Sequence, residues 1–385
     1  METTTINNDS QMTLFDVYTV SDVEIVKALG SKLWDVNGRE YLDLYGGHAV
    51  ISVGHTHPRY VESLTNQLQK IGFYSNSILI AQQKELAKKL GQLSGYNDYQ
   101  LFLCNSGAEA NENAFKLASF HNGKKKIIAF DKGFHGRTSL AVSSTDNPSI
   151  VAPINENNNI TFLPLNDIKS FDEALNDEIC CVIIEGIQGV AGIQIPEIKF
   201  LQHIEIKCKE HNIVLILDEV QSGYGRTGNF FAHQYAEIKP DIITVAKGMG
   251  NGFPIAGVLI APTLLSKKEM LGTTFGGNYL ACVAGLAVLE IIEKENLIEN
   301  AKTLGDYLMN QLDEIPNIKE IRGKGLMVAI ELYEPCSLVR KRLLDEFGIF
   351  TGTSSNKNTL RILPSLAVTK EELDALLHAL KQILE

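Results

Sequence analysis

A lysine stands at the end of an apolar run in DIITVAKGMGNGFP (241–254), and three glycines follow within five residues. Lysine is among the residues least often buried. An amine in that place is either a side chain whose head snorkels to solvent or a desolvated nucleophile whose pKa burial has lowered. Three other apolar runs end on residues of chemical interest. IVLIL is followed by Asp218, YQLFLC by NSGAEA (105–110), and KKIIAF by DKGFHGRT (131–138). A buried carboxylate needs a partner, so Asp218 either caps the next turn or meets a ligand cation. In NSGAEA, Ser106 fits an ordinary helix N-cap. Equally, Ser106, Gly107 and Ala108 open a helix with exposed backbone N–H groups, which suit a phosphate. Phe134 fits a core position or a plate stacked on a planar ring, and Arg137 fits a solvated face or a two-bond grip on a carboxylate.

A phosphate seat, an aromatic plate, a carboxylate and a desolvated amine in one site are the four parts that pyridoxal phosphate needs. In that arrangement Asp218 keeps the ring nitrogen protonated. Lys247 bonds to the aldehyde, is released, and then serves as a base. The glycines after Lys247 let backbone approach closely and give the lysine room to move.

Such residues converge only if the runs before them are neighbouring strands. The stretches 99–105, 125–130, 180–185, 213–218, 241–246 and 256–261 all have strand character, and amphipathic segments such as EANENAFKLASF and KFLQHIEIKCKEHN lie between several of them. Near-continuous apolar strands alternating with helices predict an α/β fold, a mostly parallel sheet covered on both faces. Ligands bind such sheets at the carboxyl ends of the strands. Upstream, Asn37-Gly38 within 24–44 predicts a hairpin, and 58–92 has helical spacing. Downstream come a long helix (280–314), a strand region in IRGKGLMVAIEL and a closing helix (369–384). The expected organisation is an N-terminal arm and hairpin (1–55) packed with a smaller α+β domain (281–385), and a large α/β domain (56–280) between them.

The formal charge of −11 over 385 residues argues against a nucleic-acid or anionic-membrane surface. Apolar stretches are short and interrupted, so no membrane span is expected. The start METTTINNDSQMTLFD has neither a basic region nor an apolar run of the signal-peptide kind. Six cysteines, mostly in apolar runs and without CxxC spacing, fit free thiols in the cytoplasm and no metal site. His55 and His57 in GHTHP lack a ligand set around them and fit a turn before a helix beginning at Pro58.

NSGAEANENAFKLA, FHGRT, LDEVQSGYGRTG, AKGMGNGFP, TTFGGN and RILPSL, in this order and spacing, resemble the class III aminotransferases. The resemblance runs from about residue 20 to the end of the chain. It implies the type I pyridoxal-phosphate fold, with a mostly parallel seven-stranded sheet, and a homodimer with shared active sites. By the same resemblance, Lys247 holds the coenzyme covalently, Asp218 pairs with its ring nitrogen and Gln221 lies near its phenolic oxygen. Gly107 and Ala108 donate to the phosphate, Phe134 stacks on the ring, and Thr274 reaches the phosphate of the partner subunit's site. Thr273 stands beside the substrate, and Arg137 and Arg361 bind substrate carboxylates. The compact length and the FHGRT form resemble the acetylornithine aminotransferases in particular. That implies transfer of the terminal amine of an N-acylornithine to 2-oxoglutarate, with glutamate as product, in arginine biosynthesis.

One motif departs from the family pattern. Where relatives carry E-P-I-Q-G-E-G-G, this chain has EGIQGVAG (185–192), with Gly186 for proline and Val190 for the second glutamate. In many relatives that glutamate masks the arginine matching Arg361 while the amine donor reacts. Its loss implies either a donor with a further carboxylate, N-succinylornithine rather than N-acetylornithine, or masking by another residue. Ornithine aminotransferase, 4-aminobutyrate aminotransferase and aminomutase activities share the coenzyme motifs. A nucleotide-binding module is disfavoured because GMGNGF does not complete G-x-G-x-x-G. A non-catalytic relative is disfavoured by the joint presence of Lys247 and Asp218.

Overall fold

The computed structural model describes residues 12–385; the polar segment 1–11, part of the arm in which no leader was expected, lies outside the described residues. An antiparallel hairpin of β1 (Ile25–Leu29) and β2 (Lys32–Asp35) continues into β3 (Glu40–Asp43), with Gly38 at φ +80° in the turn. Seven strands then build the main sheet: β4 (Gln100–Cys104), β5 (Lys126–Phe130), β6 (Ile160–Leu163), β7 (Ile179–Glu185), β8 (Val214–Asp218), β9 (Ile242–Val245) and β10 (Ala256–Ile260). Their order is β4-β10-β9-β8-β7-β5-β6, and β10 runs antiparallel to both of its neighbours. A third sheet holds β11 (Ile318–Lys324), β12 (Met327–Leu332), β14 (Gly352–Thr353) and β15 (Thr359–Ile362). Between them, β13 (Ile349–Phe350) pairs in parallel with β3, so the N-terminal hairpin and the C-terminal segment share a sheet.

Six of the seven main-sheet strands match the expected runs. The seventh, β6, is a four-residue edge strand that is partly exposed and preceded by an asparagine-rich stretch, so it has no continuous apolar signature. The long helix expected over 280–314 is two helices, Tyr279–Lys294 and Leu297–Leu312. Asn296 breaks it at φ +53°, a left-handed conformation that asparagine tolerates better than most residues. The first of the pair packs on the helices Pro58–Leu68 and Ala81–Ser94. His55 and His57 meet separate acids, Asp43 at 2.8 Å and Glu295 at 2.9 Å.

Strands β7 and β8 are buried along their whole length. Their hydrophobic side chains feed clusters on both faces of the sheet, one involving Phe115 and Ile216, the other Phe130, Phe200 and Leu217. Burial on both faces fixes the register. Glu185 therefore lies beside Asp218, and Asp218 beside Thr244, in one row across the carboxyl ends of β7, β8 and β9.

Candidate active site

The row of strand ends forms the floor of a cavity of about 430 Å³. Ser106, Gly107, Ala108, Phe134, Arg137, Asp218, Gln221 and Lys247 all line it, so the residues singled out at four strand ends do converge. Glu185, Asn111, His135, Val190 and Phe253 complete much of the wall.

The phosphate-seat candidate starts the helix Gly107–Asn122. Ser106 is indeed its N-cap, with Oγ accepting from the Glu109 N–H at 3.2 Å. Capping and anion binding are compatible here. The first i→i−4 bond runs from Ala110 to Ser106, so the Gly107 and Ala108 N–H groups precede the helical ladder and remain for a ligand. A Cβ on Gly107 would lie 2.8 Å from Val220, just after β8, so glycine is what lets the helix start nest against the sheet end.

Asp218 is 4% exposed. Its Oδ1 accepts from the Val220 N–H at 3.1 Å, which is the turn cap. Its Oδ2 accepts from the Asn111 amide and lies against His135 Nδ1, both at 2.8 Å. Asn111 is itself held, accepting from the Thr244 hydroxyl at 2.7 Å and donating to the His135 carbonyl at 2.7 Å. The carboxylate is thus locked by neighbours on three elements.

Lys247 follows β9 with φ +44° in a short 3-10 turn. The residue is half-buried, and its amine has no carboxylate within ion-pair distance among the described residues. Burial pushes its pKa below the ordinary lysine value; Asp218 and Glu185 oppose that shift, and Arg361 adds to it. This is the desolvated-amine alternative, not the snorkelling one.

Glu185 went unnoticed in the sequence, although it ends an apolar strand just as Asp218 does. Its Oε1 accepts from the Phe134 N–H at 3.0 Å and its Oε2 from the Gly189 N–H at 3.1 Å. Burial, with Asp218 adding to it, raises its pKa to about 7. Asn111 was also missed; it lies one helical turn past Gly107, on the face turned to the strand ends, and that spacing was the available signal.

Arg361 on β15 is 4% exposed, and no carboxylate among the described residues pairs with it. Its Nε donates to the Thr353 carbonyl at 2.5 Å, and its Nη1 to the Gly189 carbonyl at 3.1 Å and Gln221 Oε1 at 3.4 Å. Its Nη2 donates to the Tyr45 hydroxyl at 3.1 Å. Among the described residues the charge therefore lacks a counter-ion, and neutral groups occupy most of its N–H directions. Gln221 also donates to the His48 carbonyl at 3.1 Å. Thr273 and Thr274 lie outside the cavity. Thr273 Oγ1 accepts from Asn105, which does line it, at 3.4 Å, and Thr274 is exposed.

Residues 16–384 match the family model described as aminotransferase class-III. The chain belongs to the class III aminotransferases. The acetylornithine aminotransferase of Bacillus subtilis is 39% identical over 383 residues, covering 96% of this chain and 97% of that one. An acetylornithine aminotransferase structure from Elizabethkingia anophelis superposes with a TM-score of 0.83 at 29% identity, covering 96% of this chain and 95% of the other. An ornithine aminotransferase structure from Toxoplasma gondii, with partial occupancy of PLP at its active site, superposes with a TM-score of 0.87 at 30% identity, covering 96% and 91%. Class III aminotransferases depend on pyridoxal phosphate. The residues of this chain fit that coenzyme, with unused helix-start N–H groups, a locked buried carboxylate and an unpaired amine around one cavity.

Proposed function

We propose that this class III aminotransferase moves the terminal amine of an N-acylornithine to 2-oxoglutarate, giving the acylglutamate semialdehyde and glutamate, in arginine biosynthesis. The observation that carries the chemistry is the opening of Asp218 and Lys247 into one cavity from adjacent strand ends. The donor comes from the acetylornithine aminotransferases that the chain resembles along nearly its whole length.

Pyridoxal phosphate, when bound, supplies an electron sink beside the amine-bearing carbon. Gly107 and Ala108 would hold its phosphate, Phe134 its ring face, Asp218 its ring nitrogen and Gln221 its phenolic side. Asn111 and His135 hold Asp218 in its orientation. Lys247 Nζ would be the point of attachment for the coenzyme, and its free amine would act as base toward the substrate carbon and its ammonium form as the acid that gives the proton back. A lowered pKa favours the neutral amine that this step needs. Arg137 binds the distal carboxylate of either substrate, and Arg361 the carboxylate next to the oxo group, with Thr273 near the substrate. Thr274 serves the site of a second subunit in a homodimer, which its exposure outside the cavity allows. We place the protein in the cytoplasm, in keeping with six free, buried cysteines. No described helix is long and apolar enough to cross a membrane.

Absorbance spectra of the purified protein and of Lys247→Ala, with N-acetylornithine and N-succinylornithine added in turn, test the proposal. Bleaching of a coenzyme band in the wild type by one donor supports the reaction and names the acyl group. A band that neither donor alters removes the substrate assignment.

A further inference from the structure

The approach to Arg361 is governed by an unusual stretch of backbone. Gly46, Gly47, His48 and Ala49 all have positive φ, at 55°, 55°, 69° and 62°. Left-handed residues normally occur singly, and each non-glycine one is strained. A strained run of this kind persists only where its surroundings over-determine it, and such runs cluster at functional sites.

Two bonds leave this turn toward the ligands of Arg361. The Tyr45 hydroxyl, just before the turn, lies 2.5 Å from His48 Nδ1 and accepts from Arg361 Nη2. The His48 carbonyl accepts from the Gln221 amide, whose oxygen faces Arg361 Nη1. The Tyr45 ring packs on Gly352, where a Cβ would lie 2.0 Å from the ring, so β14 is shaped to admit it. Of the four acceptors around Arg361, the carbonyls of Thr353 and Gly189 belong to the backbone, and the Gln221 contact is long at 3.4 Å. A carboxylate arriving end-on needs an N–H from each of Nη1 and Nη2. Among the described residues the acceptor on Nη2 is the Tyr45 hydroxyl, so it is the group that competes there with an arriving carboxylate.

We propose that Tyr45, steadied by His48 on the left-handed turn, is a neutral cap on Arg361 that determines which substrate engages the arginine. The cap stays closed on a donor whose reacting carbon bears no carboxylate, and the carboxylate beside the oxo group of the acceptor displaces it. This does the work of the glutamate that Val190 replaces, without adding a negative charge to the cavity. The inference rests on the transamination reading above, but not on which acyl-ornithine is the donor.

Calorimetric titration of coenzyme-loaded protein with glutarate, a dicarboxylate with no oxo group, tests the cap directly. Losing one competing hydrogen bond should tighten glutarate binding to Tyr45→Phe by about 3–10-fold. The KM for 2-oxoglutarate should fall by a similar factor while the KM for the amine donor does not. Unchanged or weakened glutarate binding overturns the cap; weakening would mean that the hydroxyl itself holds the carboxylate. Should Tyr45→Phe fold poorly, His48→Asn removes the imidazole while keeping a residue type that accepts positive φ. It should shift glutarate binding in the same direction, and no shift in it overturns the proposal. Glutarate binding needs no amine donor. If neither acyl-ornithine reacts and Tyr45→Phe still binds glutarate more tightly, the donor assignment falls and the cap stands.

Discussion

His135 Nδ1 lies 2.8 Å from Asp218 Oδ2, and both side chains are buried. Asn111 donates to the same oxygen, so the carboxylate expected at the coenzyme ring has two side-chain partners away from the ring. A buried hydrogen bond to a charged group contributes about 1.5–3 kcal/mol. Replacing His135 by phenylalanine should therefore weaken coenzyme affinity by about 10–100-fold. His135→Asn, which retains a donor, should lose less. Fluorescence titration of the apo-protein with pyridoxal phosphate measures both, and equal affinities for the two variants would contradict this role.

Lys247 is the only lysine lining the cavity among the described residues. Lys247→Ala should slow the amine-donor half-reaction by about 10²–10⁴-fold, the usual range for a positioned acid–base group. The coenzyme should still bind through the helix start and Asp218. Stopped-flow absorbance at saturating coenzyme separates these two effects. A variant that reacted at the wild-type rate would move the proton transfer to another group.

Glu185 carries a pH dependence of stability. Its pKa lies near 7 in the folded protein, against an ordinary value near 4.5, because burial, with Asp218 nearby, disfavours its charge while His135 opposes the shift. Between those values the folded state holds a proton that the unfolded state has released, so stability falls as pH rises through this window. At about 1.4 kcal/mol per pH unit of displacement, the loss is on the order of 3 kcal/mol. Denaturant unfolding of the apo-protein from pH 4.5 to 8 should show this fall, and Glu185→Gln should show less of it. Parallel curves for the two proteins would assign the titration elsewhere.

Gly136 joins the aromatic Phe134 to Arg137 with φ at +139°. A Cβ there would lie 2.7 Å from the Cβ of Ala108, at the start of the phosphate-seat helix. Gly136→Ala should destabilise the fold by more than about 1 kcal/mol, since neither the conformation nor the space suits alanine. It should also weaken inorganic phosphate binding by displacing the helix start. Urea unfolding and phosphate titration provide the two readings.

Arg361→Gln should raise the KM for 2-oxoglutarate by about 10–100-fold, as expected when a charge-assisted contact to a carboxylate is lost. The donor half-reaction should change much less. Equal effects on both halves would mean that Arg361 supports the fold of the site and does not discriminate between the substrates.

The residues after β4, β5, β8 and β9 were recognisable in the sequence because apolar strands ending in Asn105-Ser106-Gly107, Phe134, Asp218 and Lys247 are local patterns. Period and composition decide strand or helix within a few residues, and a mostly parallel sheet necessarily collects its strand ends on common edges. The main sheet and most of the coenzyme contacts follow from that. Strand order and register do not, because pairing is set by contacts between residues far apart in the chain. Only the fold places Glu185 beside Asp218, Thr244 opposite Asn111, and His135 against the carboxylate. The handling of Arg361 is the clearest case. The sequence shows that its family partner is missing at Val190. That Tyr45, Gln221 and two backbone carbonyls from four other places in the chain surround the guanidinium is decided by tertiary packing, because those acceptors lie between 8 and 316 residues away.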